Sequence, residues 1–94
     1  MPLLNCVVHG RVQGVGFRFY VQEEADRLGL RGWVRNLSSG EVEVEAAGDT
    51  EGLKQLLKAI QVGPVLSRVD SVEVNWGEGE PRVDPGGLGT CYRF

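Results

Sequence analysis

Two side chains able to handle an anion, Arg18 at its end and Asn36 further along, follow a stretch unusually rich in glycine. Gly10-Arg11-Val12-Gln13-Gly14-Val15-Gly16-Phe17-Arg18 follows a strand-like run and precedes a helix-like one. Glycine permits backbone angles that other L-residues avoid, so a tight turn here can aim consecutive N–H groups at one point. The unpaired N–H groups and positive dipole end of the following helix would add to that concavity. Arg18, in the first helical turn, supplies a planar guanidinium suited to two oxygens of one phosphate. Alone at a helix start an arginine opposes the dipole, and an anion held between the two reverses that cost. Taken one at a time the residues have plainer readings: a strand-to-helix turn for the glycines, a solvated helix position for Arg18 and a hairpin turn for Asn36.

Rival chemistries lack their residues. A Walker A loop requires Gly-Lys-Ser/Thr, and this stretch has neither the lysine nor the hydroxyl. The dinucleotide fingerprint would need glycine where Phe19 stands, and a Cys-x5-Arg loop from Cys6 would need arginine where Val12 stands. The single histidine, His9, sits on the first strand with no Ser–His–Asp or Cys–His partners in the pattern. Cys6 and Cys91 with one histidine have no zinc-ligand spacing, and they are expected to be free thiols. Glu41, Glu43 and Glu45 read as a solvated strand face rather than a metal site, and Trp33 and Trp76 as packing residues.

The elements that must position these residues follow from periodicity. Leu4, Cys6 and Val8 alternate with Asn5, Val7 and His9 as a first strand. Phe17, Tyr20, Val21, Ala25 and Leu28 form the apolar stripe of a helix that begins near Phe17 or Arg18 and ends at Gly29. Gly32 to Leu37 and Glu41 to Ala46 form an antiparallel hairpin around Ser38-Ser39-Gly40, with Val42, Val44 and Ala46 inward. Asp49 or Thr50 caps a second helix whose stripe is Leu53, Leu56, Leu57 and Ile60, stopped by Gly63-Pro64. Val72, Val74 and Trp76 mark a fourth strand, and the phase of Val69 predicts a bulge near Asp70-Ser71. Gly77 to Leu88 reads as a loop, with a short fifth strand at Cys91 to Phe94. The order βαββαβ predicts an α+β, ferredoxin-like sandwich, two helices on one face of a mostly antiparallel four- to five-stranded sheet. In that topology strand three lies between strands one and two. The glycine loop and Asn36 then share one sheet edge, two inter-strand spacings or roughly 10 Å apart.

With 94 residues, one domain spanning 1–94 is expected. A net charge of −3 with scattered basic residues argues against nucleic acid as a partner. No apolar run approaches a membrane span, and the Met1-Pro2-Leu3-Leu4 start lacks a basic leader, so a cytoplasmic protein is expected.

Two segments, VHGRVQGVGFR from Val8 to Arg18 and GWVRNLSSGEVEVEAAG from Gly32 to Gly48, resemble the signature segments of the acylphosphatases. The order of elements agrees with that family from Leu3 to Trp76. The resemblance implies hydrolysis of acyl phosphates to carboxylate and phosphate, without metal or cofactor. It implies that Arg18 binds the phosphoryl group and Asn36 orients the attacking water. It also implies that the backbone of Gln13, Gly14, Val15, Gly16, Phe17, Arg18 and Phe19 cradles the phosphate oxygens. A small-molecule substrate, inhibition by inorganic phosphate and a monomer are expected. The tail from Gly77 departs from the family pattern, which questions the last edge strand while leaving the active edge untouched. The competing class is a ferredoxin-like binding module that reads a phosphorylated ligand or RNA. The glutamates of strand three, where such a sheet would display aromatics, argue against RNA.

Overall fold

A computed structural model describes residues 1–82 and 91–94. The strands are β1 (Pro2–Arg11), β2 (Arg31–Asn36), β3 (Val42–Ala47), β4 (Arg68–Glu78) and β5 (Tyr92–Arg93), and the helices are α1 (Phe17–Arg27) and α2 (Thr50–Val62). They form one five-stranded sheet in the order β4-β1-β3-β2-β5, antiparallel throughout. This is the ferredoxin-like α+β arrangement, with β3 between β1 and β2 as the chain order predicts.

Alternation along the strands decides the layers. Leu4, Cys6 and Val8 of β1, Val34 of β2, and Val42, Val44 and Ala46 of β3 are all buried against the helices. The helices answer with Phe17, Val21 and Ala25 from α1 and Leu53, Leu56 and Ile60 from α2. Burial pushes the Cys6 thiol up to about 12, as an uncompensated apolar setting should. Both cysteines are free. Asp49 is the cap of α2, its side chain accepting from the Gly52 N–H at 3.2 Å. The β1–β4 register shifts between His9 and Gly10, which pair with Ser71 and Val69, so Asp70 is the extra residue of a bulge. Among the described residues no helix is long and apolar enough to cross a membrane.

Three expectations need correction. First, Gly77 and Glu78 do not begin the loop; they continue β4, pairing with Leu3 and Pro2. Residues 83–88 of the expected loop lie outside the described residues.

Second, Glu43 and Glu45 face away from the helices but are not solvated: they are 8% and 4% exposed. The chain leaving β4 crosses the open sheet face, and Arg82 lies over these carboxylates. Its Nη2 is 3.0 Å from Glu43, and its backbone N–H donates to Glu45 at 2.6 Å. Asn5 and Arg35 also donate to Glu43, both at 2.9 Å. Burial works against the Glu43 charge, yet the Asn5 amide and the Arg35 and Arg82 guanidiniums hold its carboxyl below the usual carboxylate range. Trp33 packs into the same layer, donating its indole N–H to the Arg82 carbonyl at 2.9 Å. Alternation alone could not reveal this, because the covering segment comes from far along the chain.

Third, Trp76 is 49% exposed and not a core residue. It sits on β4, which has β1 on one side and, among the described residues, no strand on the other.

Candidate active site

The loop between β1 and α1 takes its shape from two glycines. Gly14 and Gly16 have φ of 73° and 78°, in the left-handed region where a Cβ is strained. Gly16 is also the residue before α1, which starts with no side-chain cap and no acidic residue in its first turn. The first N–H bonded in helical fashion is that of Tyr20, to the Gly16 carbonyl at 3.0 Å. By helix geometry the N–H groups of Phe17, Arg18 and Phe19 point out past the helix end, toward the loop. The loop and helix start thus present donors and the positive end of the dipole to one place.

Gln13 fixes that loop against the hairpin. Its side-chain amide donates to the carbonyls of Leu37 and Glu41, at 2.8 and 2.9 Å. These two residues also bond to each other across the turn, Leu37 N–H to Glu41 carbonyl at 2.8 Å. One side chain therefore couples the end of β1 to the end of β2, where Asn36 stands.

Asn36 shares the helix-facing side of β2 with Val34, two residues earlier. Its Oδ1 is buried and has no hydrogen-bond partner among the described residues. A buried acceptor without a partner costs free energy, so a site that retains one points to a ligand that donates to it.

Arg18 leans to the other side of the same space. Its guanidinium carbon lies 3.9 Å from the centroid of the Tyr92 ring. Tyr92 pairs with Val34 across the β2–β5 ladder, which puts it on the helix-facing side beside Asn36. Stacking one face of the guanidinium on the ring leaves its N–H edge available. One turn along α1, Gln22 donates to the Arg93 carbonyl at 3.0 Å, so the Arg18–Gln22 strip of the helix lies over β5.

These parts enclose a cleft of about 250 Å³, lined by Val12, Gly14, Gly16, Phe17, Arg18, Phe19, Gln22, Asn36 and Tyr92. Its lining includes the cation Arg18 and no carboxylate. The structure thus brings together Arg18, Asn36 and most of the expected cradle. Gln13 and Val15 are outside the lining, Gln13 serving as the tie to the hairpin. His9 is elsewhere, on the open sheet face, with Nε2 2.5 Å from Glu73 and Nδ1 3.7 Å from Glu41. Among the described residues, no three His, Cys, Asp or Glu side chains are grouped so as to hold a metal ion.

Sequence reasoning missed Tyr92 and Gln22. The tail does reach the active edge, contrary to expectation, because β5 adds to β2 and carries Tyr92 into the cleft. The only signal was the short alternating segment Cys91-Tyr92-Arg93-Phe94. Gln22 reads as part of the polar face of α1, which is correct but does not say what that face meets.

The comparisons with known proteins agree with one another. Residues 4–85 match the family model described as Acylphosphatase. A Thermus thermophilus protein named acylphosphatase is 51% identical over 78 residues, covering 83% of this chain and 89% of its own. A Bacillus licheniformis acylphosphatase is 59% identical over 70 residues, 74% of this chain and 78% of its own. Among solved structures, the crystal structure of acylphosphatase from Bacillus subtilis superposes with a TM-score of 0.81 at 41% identity. The match covers 87% of this chain and 94% of that one.

Proposed function

Since the chain belongs to the acylphosphatase family, enzymes that hydrolyse acyl phosphates, we propose that the cleft at the β1–α1 loop is where that reaction occurs. The phosphoryl oxygens rest on the backbone of Gly14, Gly16, Phe17, Arg18 and Phe19 and on the Arg18 guanidinium, and Asn36 holds the attacking water. One observation carries this reading. The uncapped start of α1, Arg18 and Asn36 line a single cleft.

The chemistry asks little more of the protein. Water attacks phosphorus and forms a new P–O bond. The bond from phosphorus to the bridging oxygen breaks, and its electron pair leaves with the carboxylate. The water protons remain on the released dihydrogen phosphate, which equilibrates with solvent. A carboxylate leaving group, whose conjugate acid has a pKa of about 4, needs no general acid. Through a loose transition state, positioning and charge stabilisation supply most of the acceleration. The Asn36 amide hydrogen-bonds the water and leaves its lone pair directed at phosphorus. Arg18 and the amides take up charge on the equatorial oxygens.

No metal or cofactor enters these steps. The reading takes the protein as a monomer with a single domain over residues 1–94. Two free cysteines are compatible with a reducing cytoplasm. Inorganic phosphate, which keeps the oxygens the cleft grips, acts as a competitive inhibitor. Alkyl phosphate monoesters, with far more basic leaving groups, are poor substrates.

The test is phosphate release from benzoyl phosphate with chelator present. Arg18→Ala should lower the rate by at least the ~10²–10³ typical of losing one transition-state donor, and Arg18→Lys should not restore it. Asn36→Ala should lower kcat strongly while phosphate still binds. Near-normal kcat in either alanine variant, with the fold intact, would exclude the role assigned to that residue.

A further inference from the structure

Phe19 is a large aromatic residue that the fold does not use. It is 66% exposed. It is absent from the hydrophobic core and from the residues packed against it. Yet it lines the cleft, next to Arg18 in the first turn of α1. The other apolar surfaces of the cleft are already committed. Val12 and Phe17 are buried in the core at 1% exposure each, and the Tyr92 ring carries the Arg18 guanidinium.

A scattered exposed apolar residue is ordinary and needs no purpose. Phe19 differs in its position. The polar side chains of the cleft have other tasks: Arg18 suits the phosphoryl group, Asn36 the attacking water, and Gln22 donates to the Arg93 carbonyl. That substituent must project from the phosphoryl group into the remainder of the cleft. Among the described lining residues, Phe19 is the exposed apolar one without a partner in the core.

We propose that Phe19 is a specificity-determining residue, a platform for the group carried by the substrate carboxyl, and that the preferred substrates are acyl phosphates bearing an aromatic or bulky apolar group. The proposal rests on the hydrolase reading above. It assigns the Phe19 side chain a role separate from its backbone N–H, which any substituted residue would keep.

The experiment compares benzoyl phosphate with acetyl phosphate in the wild-type protein, Phe19→Ala and Phe19→Leu. The readout is the ratio of the two kcat/KM values, which cancels any general damage to the cradle. Loss of one aromatic contact should lower the benzoyl-to-acetyl ratio about threefold to tenfold in Phe19→Ala, with Phe19→Leu in between. A ratio within twofold of wild type in Phe19→Ala overturns the proposal. Because Phe19 is mostly exposed, its truncation should leave the thermal midpoint in place.

Should the wild-type protein hydrolyse neither compound, the hydrolase reading fails. The platform is then judged by calorimetry with benzylphosphonate and methylphosphonate. A selective loss of benzylphosphonate affinity in Phe19→Ala sustains it, and an equal effect on both, or none, overturns it.

Discussion

Replacing Tyr92 with leucine tests whether the tail contributes to the reaction. The ring lies 3.9 Å beneath the Arg18 guanidinium carbon and does two things for it. It attracts the cation through its face, worth about 0.5–1 kcal/mol at a partly exposed site. It also restrains a long side chain that would otherwise lose freedom when an anion binds, a cost of about 0.5–1.5 kcal/mol. Together these come to about 1–2.5 kcal/mol, or about 5- to 60-fold in affinity for a phosphate dianion. Tyr92→Leu retains apolar bulk against the core and the backbone pairing with Val34. The loss should therefore fall on phosphate affinity rather than on the fold. The assay is inorganic phosphate binding by calorimetry, checked as competitive inhibition of acyl phosphate hydrolysis. Tyr92→Phe keeps an aromatic face and should bind nearly as well as wild type. In an Arg18→Ala background, Tyr92→Leu should add almost nothing, because the interaction it removes is already gone. Unchanged affinity in Tyr92→Leu refutes the reasoning, and so does an equal loss in the presence and absence of Arg18.

Three further outcomes follow from contacts around the cleft and on the open sheet face. Gln13→Ala removes two hydrogen bonds to the turn carbonyls of Leu37 and Glu41, so urea unfolding should show a loss of about 1–3 kcal/mol, with kcat reduced as loop and hairpin separate. Arg82→Ala leaves Glu43 and Glu45 short of a cation; as the Arg82 side chain is 49% exposed, solvent replaces part of the interaction. The expected cost is about 1–2 kcal/mol, below that of a fully buried pair, which calorimetry should read as a midpoint lower by about 4–16 °C. The third outcome concerns acid. Glu43 has its carboxyl held below the usual range when folded, so its stabilisation is complete above the unfolded carboxylate value of about 4 and is lost as pH falls through the lower folded value. Unfolding free energy should therefore decline on acidification below about pH 4, and Glu43→Gln should flatten that decline.

Local chemistry made much of this protein legible before folding is considered. The glycine loop, the helix start at Phe17, the Asp49 cap, the hairpin around Ser38-Ser39-Gly40 and the bulge at Asp70 all depend on neighbours in the chain. Backbone angles, caps and alternation are short-range properties, and a sequence states them directly. The order βαββαβ then leaves few topologies, which is why Arg18 and Asn36 can be placed at one sheet edge despite their separation.

What depended on distant segments could not be read in that way. Alternation correctly turns Glu43 and Glu45 away from the helices, but whether that face meets water is decided by where the chain goes after β4. Leaving β4, it passes over the open sheet face, and Arg82 lands on the two carboxylates. Pairing of β5 with β2 puts Tyr92 in the cleft, a residue whose local pattern announces only a short strand. The tie from Gln13 to the hairpin and the unpartnered oxygen of Asn36 likewise exist only once the elements are assembled. The physical division is one of range. Conformational preferences are set within a few residues, whereas burial, ion pairing and the geometry of a cleft are sums over segments that meet only through the tertiary fold.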